Sequence, residues 1–404
     1  MGSVSFPPSG EFLQSIRASS KALREAANII IDEQSIKRLL LSPAFATSFE
    51  RLSASNGLAM PLNFPTAHAE LNFWSIFALL NFGSGYRAPL HAETGGGASD
   101  CMKALAFALY ISTDDDLMSA RGMHNISQAT VAELMRVNLH TEKPHETLQH
   151  VVVGELRGPM YDLVTMITRV LNETGGILVN MGYPDLGMFV LEALKDAGSK
   201  VRSDRNHQAD VEVILERLVR AFPAFQDMAV VNGQRIFCFK KALFLIHAIS
   251  VRFGSADPPP FPVPSTPRDL PVFSDNVLPS MLVHLGVIDI SQSPQLLSVF
   301  PQAGSPPRLQ TLLATAAPGT DANANVSPND GPILSANQAY ILRAAAIDAC
   351  ELMANVARAV DEPALDWLKD MQLASLDRWI WSVAKDRQDY RGLERFVLRD
   401  TVFF

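Results

Sequence analysis

Residues 271–291 read PVFSDNVLPSMLVHLGVIDIS, and the decisive feature is the turn from polar to apolar within them. Ser274, Asp275 and Asn276 are residue types whose side chains accept from the free N–H groups of a helix start. Leu278, Met281, Leu282 and Leu285 then recur at helical spacing, and Gly286 suits a left-handed stop. Asp275 is therefore expected at or just before a helix N-terminus, where the macrodipole favours an anion. That placement serves a simple cap and a fixed catalytic carboxylate equally well.

Working outward, the remaining apolar periodicity is almost all helical. Helices are expected over 11–31, 32–41, 67–81, 101–111, 127–136, 162–174, 189–197, 210–221, 242–251, 333–360 and 363–376, followed by a closing segment that carries Asp377, Trp379 and Trp381. One clear β signal stands among them. Ala229-Val230-Val231, then Asn232-Gly233, then Arg235-Ile236-Phe237 reads as a hairpin with a type I′ turn. The fold class is mainly α, a single helical unit over 1–404 with a small β-hairpin. Residues 292–332 contain an Ala-, Pro-, Gly-, Asn- and Asp-rich stretch expected to be an inserted mobile loop.

Bulk composition narrows the function classes. The 404 residues are 48% hydrophobic and carry a net charge of −8, which opposes a broad nucleic-acid footprint. Three scattered cysteines, Cys101, Cys238 and Cys350, form neither a disulfide framework nor a zinc spacing and fit a reducing compartment. No signal peptide and no bilayer-spanning run is read, so a cytoplasmic protein is expected, with the nucleus open. The near-match to a zinc motif at 145–150, HETLQH, places its histidines five residues apart. A helix turns by about 500° over that distance, so the rings diverge. The segment is expected to be a solvated helix face, and no metal or cofactor is implied. Gly95-Gly96-Gly97 before a helix offers a weak phosphate-cradle signal, since the Lys-Ser/Thr of a P-loop is missing.

Four stretches in order carry a family resemblance: NFGSGYR at 81–87, AFPAFQDMAVVNGQRIFCFKKA at 221–242, FSDNVLP with VHLGVI at 273–288, and LDRWIWSVAKDRQDYRGLERFVLRDTVFF at 376–404. Together they resemble the queuosine salvage family, queuosine 5′-phosphate N-glycosylases (hydrolases). The resemblance implies a helical fold similar to helix-hairpin-helix DNA glycosylases without their DNA-binding surface. It implies a small nucleotide as substrate, with no direct nucleic-acid partner, no membrane and no cofactor.

On these residues the family pattern assigns Asp275 as the carboxylate beside the ribosyl carbon and Lys240 as the active-site lysine, with Lys241 a rival by one register step. Breaking an N-glycosidic bond builds positive charge at C1′, which a carboxylate stabilises or attacks. Phe273 matches the aromatic that stacks on the base and Asp377 the acid that reads its edge. Trp381 follows Asp377 at i+4. Four positions depart from the pattern: Met60 where a histidine is frequent, Ser382 where an acid is frequent, Arg378 in place of an aromatic, and Ala78 in place of an acid. Met60, Arg378 and Ser382 are accordingly candidate substrate-contacting positions. An altered family member that binds nucleosides or bases, or serves as a helical interaction protein, is the alternative they raise.

Overall fold

The computed structural model describes residues 4–54, 58, 61–112, 116–145, 147–148, 150–203, 209–264, 270–315 and 331–404. The chain is mainly α. The first eight helices are α1 (Phe12–Ala26), α2 (Glu33–Leu40), α3 (Pro43–Ala54), α4 (Ala67–Leu79), α5 (Arg87–Thr94), α6 (Ala98–Ile111), α7 (Ala120–Asn125) and α8 (Gln128–Met135). An antiparallel pair, β1 (His140–Pro144) and β2 (Val152–Leu156), precedes α9 (Pro159–Met181), α10 (Leu186–Ser203) and α11 (Ala209–Ala221). A second pair, β3 (Met228–Val231) and β4 (Gln234–Phe237), leads into α12 (Lys240–Phe253), α13 (Val277–His284), α14 (Pro306–Leu313), α15 (Ala336–Arg358), α16 (Leu373–Asp386) and α17 (Gln388–Arg391). One contiguous apolar core runs from Phe12 to Phe404.

Local chemistry explains where these elements start and stop. Asp32 accepts from the N–H groups of Gln34 and Ser35 at the head of α2, and Ser335 forms a capping box with Gln338 on α15. The β3–β4 turn has Asn232 at φ 51° and Gly233 at φ 79°, the two positive angles that a type I′ turn requires. α1 begins without a cap of its own. Glu212 on α11 reaches across instead, accepting from the N–H groups of Phe12 (2.8 Å) and Leu13 (2.9 Å).

Three expectations are corrected. The segment around 140–155 is the β1–β2 hairpin, not a helix face, and it pairs His140 with Leu156 through Pro144 with Val152. Val151, Val152, Val153 and Leu156 are exposed there, so the hairpin has no buried face and shows no apolar alternation to read. Pro363–Asp370 is a kinked 3-10 segment, broken at Leu365, instead of part of an α-helix to 376. The stretch 292–332 contains α14, anchored by the burial of Leu309, Leu312 and Leu313, while 316–330 lies outside the described residues.

The fold converges on a buried ion pair. Arg343 of α15 is fully buried and makes a two-pronged contact with Asp227, Nη1 to Oδ1 at 2.8 Å and Nη2 to Oδ2 at 2.5 Å. Asp227 also accepts from the Tyr340 hydroxyl (3.2 Å) and from the backbone N–H of Lys240 (3.2 Å), and its carbonyl accepts from Cys238 N (2.9 Å). Arg343 Nε donates to Ser274 O at 2.9 Å. Phe239, caught between these bonds, sits at φ 47°, a strained conformation for a residue with a side chain.

Removing one partner of such a pair strands the other charge in the core. Asp227→Ala is expected to lower unfolding stability by roughly 3–5 kcal/mol. Replacing both partners with apolar residues should recover part of that loss in urea titrations. A single-variant cost below about 1 kcal/mol would contradict this role for the pair.

Candidate active site

The Asp227–Arg343 contact aims two chain segments at one cavity of about 290 Å³. One is the start of α12 with Lys240, and the other is 273–277 with Asp275. Asp275 lies two residues before α13 and caps it. Its Oδ1 accepts from Val277 N (2.7 Å) and Leu278 N (3.3 Å), so both bonds fall on one carboxylate oxygen. Asn276 is tied to Phe396 O at 2.9 Å, and Gly286 ends the helix region at φ 67°.

Lys240 and Lys241 are both buried but diverge. Lys240 lines the cavity, its Nζ donating to the carbonyl (2.7 Å) and side-chain oxygen (3.1 Å) of Asn81. Lys241 Nζ turns to Leu79 O (2.9 Å) between the rings of Phe82 and Phe225. Burial pushes Lys240 down to about 8, against the opposing pull of the Asp275 carboxylate.

α16 supplies the facing wall. Asp377, Arg378, Trp381, Ser382 and Lys385 all line the cavity, the i, i+4 spacing bringing Asp377 beside Trp381 and Trp381 beside Lys385. Asp377 Oδ2 accepts from Phe273 N at 2.6 Å. Burial raises its carboxyl to about 7; the Phe273 N–H opposes that shift and the Asp275 charge adds to it. Trp379, in contrast, belongs to the core, its ring tilted against Phe45 (centroids 4.6 Å apart) and its N–H on Ser48 Oγ (2.9 Å). Ala78 is fully buried and is not part of the cavity wall, and Met60 lies outside the described residues.

The cavity has two chemically different ends. Around Phe273 stand Phe244 (ring centroids 6.1 Å apart) and His247 (5.4 Å). Burial, and secondarily Arg378, push His247 down to about 4, and its Nδ1 is buried with no partner. At the other end Arg87, Lys385 and Arg395 influence one another. Lys385 Nζ sits 3.6 Å from the Trp381 ring centroid and is brought down to about 8 by burial. Arg395 is lowered to about 9 by burial and by Arg87, so it stays cationic near neutral pH. Its Nη2 holds Ala384 O (2.8 Å) while Nε is buried without a partner, as is the hydroxyl of Ser84, which lines the same cavity. Among the described lining residues, five side chains are basic, Arg87, Lys240, Arg378, Lys385 and Arg395, against two acidic, Asp275 and Asp377. A chain of net charge −8 has thus concentrated positive charge in its cavity.

Residues 103–299 match the queuosine salvage protein family. The match covers just under half of the chain and includes Lys240, Phe273 and Asp275. A curated bovine (Bos taurus) protein, queuosine 5′-phosphate N-glycosylase/hydrolase, is 27% identical over 147 residues, 36% of this chain. The aligned part spans only 38% of the bovine protein. Asn81, Arg87, Asp377, Arg378, Trp381, Ser382, Lys385 and Arg395 fall outside the family match and reach the site through folding.

Sequence reading passed over His247, Lys385 and Arg395. His247 lies seven residues after Lys240 and Lys385 four after Trp381, helical intervals that place each on the face of a residue already singled out. Arg395 sits in irregular backbone with no period to reveal it.

The raised Asp377 carboxyl has a signed consequence. Between about pH 4 and pH 7 the folded protein keeps a proton there that the unfolded chain, at 3.8, has released, so stability falls as pH rises through that window. Asp377→Asn lacks the penalty. Urea titrations should show the variant gaining on wild type from pH 4 to 7.5 by on the order of 4 kcal/mol, then levelling. A difference that stays flat across this range would mean that Asp377 titrates as an ordinary carboxyl.

Proposed function

We propose that this chain hydrolyses the N-glycosidic bond of a nucleoside 5′-phosphate, with queuosine 5′-phosphate as substrate and queuine as released base. The observation that carries this reading is that a helix-capped carboxylate, Asp275, shares one cavity with Phe273 and Asp377 and with the cationic Arg87, Lys385 and Arg395, its charge acting on Lys240, Asp377, Lys385 and Arg395 alike. The lining chemistry suits a planar base, a ribosyl centre and a phosphate.

In this mechanism the base lies against Phe273 with its N–H edge toward Asp377, and the 5′-phosphate meets Arg87, Lys385 and Arg395. The C1′–N bond breaks with its electron pair passing to the base. Asp275 stabilises the positive charge that develops on the ribosyl ring. Lys240, with a pKa of about 8, gives a proton to the departing ring nitrogen. Water adds at C1′ and loses its proton to Asp275, and proton return from Asp275 to Lys240 resets the site. Free nucleotide is favoured over duplex DNA as substrate because the positive charge lies inside the cavity while the whole chain is acidic.

Incubation with queuosine 5′-phosphate and chromatographic detection of queuine tests the reading. Asp275→Asn should retain the helix cap and lose about a hundredfold or more of turnover. Turnover within about threefold of wild type, under roughly 1 kcal/mol of barrier, would remove Asp275 from the chemistry. Binding of queuine without any cleavage would favour the alternative of a base-binding protein that has lost catalysis.

The cationic end makes a separable prediction. Arg395→Gln should raise KM for the 5′-phosphate by about tenfold, the scale of a lost charged hydrogen bond. It should leave the kinetics on the corresponding unphosphorylated nucleoside close to wild type. Equal losses on both substrates would place the phosphate elsewhere.

A further inference from the structure

The proposed reaction needs Lys240 to hand over one particular proton, and the surroundings of its amine decide which one. An ammonium carries three N–H donors. Two of them are taken by Asn81, through its backbone carbonyl (2.7 Å) and its side-chain oxygen (3.1 Å). No described residue accepts the third. Lys240 and Asn81 both line the cavity, so the third N–H is the one left for a bound molecule.

Asn81 holds the amine because of where α4 stops. The helix ends at Leu79, and Asn81 N donates back to Ala78 O at 3.2 Å. The carbonyls at such an end need donors from outside the helix. The two lysines at the start of α12 supply them, Lys241 to Leu79 O (2.9 Å) and Lys240 to Asn81 O. A helix C-terminus also favours cations. Phe82 N donates to Leu80 O (2.7 Å) and Gly83 N to Phe404 O (3.1 Å), which ties down the residues that follow Asn81.

We propose that Asn81 is a positioning residue that fixes which proton Lys240 gives up and where that proton returns. The inference rests on the hydrolase reading, in which Lys240 protonates the leaving base. With two N–H groups held by Asn81, the ammonium keeps its third for the ring nitrogen. As the C1′–N bond breaks, its electron pair takes that proton. The neutral amine keeps two N–H donors on the same two oxygens, and its new lone pair occupies the vacated position. That lone pair receives the proton that Asp275 returns. A lysine without these acceptors rotates about its last bond and presents a proton in the needed direction only part of the time. The charges that act on Lys240 are Asp275, Arg343 of α15, Asp227, Asp377 of α16 and its neighbour Lys241. Substitution at Asn81 leaves all of them in place.

Asn81→Leu removes the side-chain acceptor at nearly constant size, whereas Asn81→Asp keeps it and adds a charge. Two measurements test the proposal. One is the pH profile of kcat and kcat/KM on queuosine 5′-phosphate. The other is the pKa of the Lys240 amine in the free protein, from competitive acetylation read by mass spectrometry. Asn81→Leu should lower kcat at least about tenfold with KM within about threefold of wild type. It should also move the alkaline limb and the Lys240 amine down by about one pH unit, because the ammonium has lost an acceptor. Asn81→Asp should move both up by about as much, and its plateau kcat should exceed that of Asn81→Leu. Being isosteric, Asn81→Asp carries the test where Asn81→Leu does not fold. A raised KM with unchanged kcat would make Asn81 an ordinary substrate contact and overturn the proposal. Queuine release by wild type with a Lys240 amine that stays put in both variants would overturn this inference alone. No queuine release, with the amine moving as stated, would overturn the hydrolase and uphold the control of Lys240 by Asn81.

Discussion

The buried contact between Asp227 and Arg343 is the constraint on which the site depends. It joins the segment before β3, the start of α12 and the middle of α15, and through Arg343 Nε it holds the carbonyl of Ser274. Two charges out of water are held in place only when their remaining hydrogen-bonding positions are filled. The Tyr340 hydroxyl, the Lys240 N–H and the Ser274 carbonyl fill several of them. Of the two residues proposed to act on the glycosidic bond, Lys240 therefore supplies one of the groups that satisfy this pair and Asp275 directly follows another, Ser274. Strain at Phe239 is tolerated because the surrounding bonds leave the chain no easier path.

Burial then does the electrostatic tuning. Lys240 and Lys385 are lowered and Asp377 is raised for the same reason, the poor solvation of a charge inside the protein. These shifts bring three side chains that ordinarily titrate far apart into the neutral range, within one cavity. The C-terminal segment contributes to that enclosure. Phe404 O accepts from Gly83 N, and Leu398 O passes so near Gly85 that a Cβ there would lie 2.2 Å from it. Glycine at 85 is thus required by a close approach of backbone that brings Arg87 and Arg395 to the same end of the cavity.

Much of the fold was legible from periodicity because most helices bury a stripe. α2, α4, α11 and α15 were anticipated within a few residues, α1 ends at Ala26 and not at 31, and Asn232-Gly233 specified its hairpin turn. The β1–β2 hairpin escaped because both of its faces are largely exposed, and α14 because a composition rich in turn residues conceals three well-spaced leucines. The two lysines at 240 and 241 could not be separated by reading, since a single register step in the following helix exchanges them. Folding separates them, sending one side chain to Asn81 and the other to Leu79.

Local chemistry alone determined that Asp275 would cap a helix, that Asn232 and Gly233 would reverse the chain, and that Asp377, Trp381 and Lys385 would share one helical face. These properties depend on neighbours within a few residues, and a linear pattern carries them. Only the tertiary structure decided that α16, α12, the α4–α5 connection and the C-terminal segment would meet around Asp275. That meeting brings Arg87 and Arg395 together across about 300 positions of chain. Burial and the field of distant charges depend on the whole packed surface, so the neutral-range lysines, the raised Asp377 and the cationic cavity of an acidic protein exist only once the core has closed.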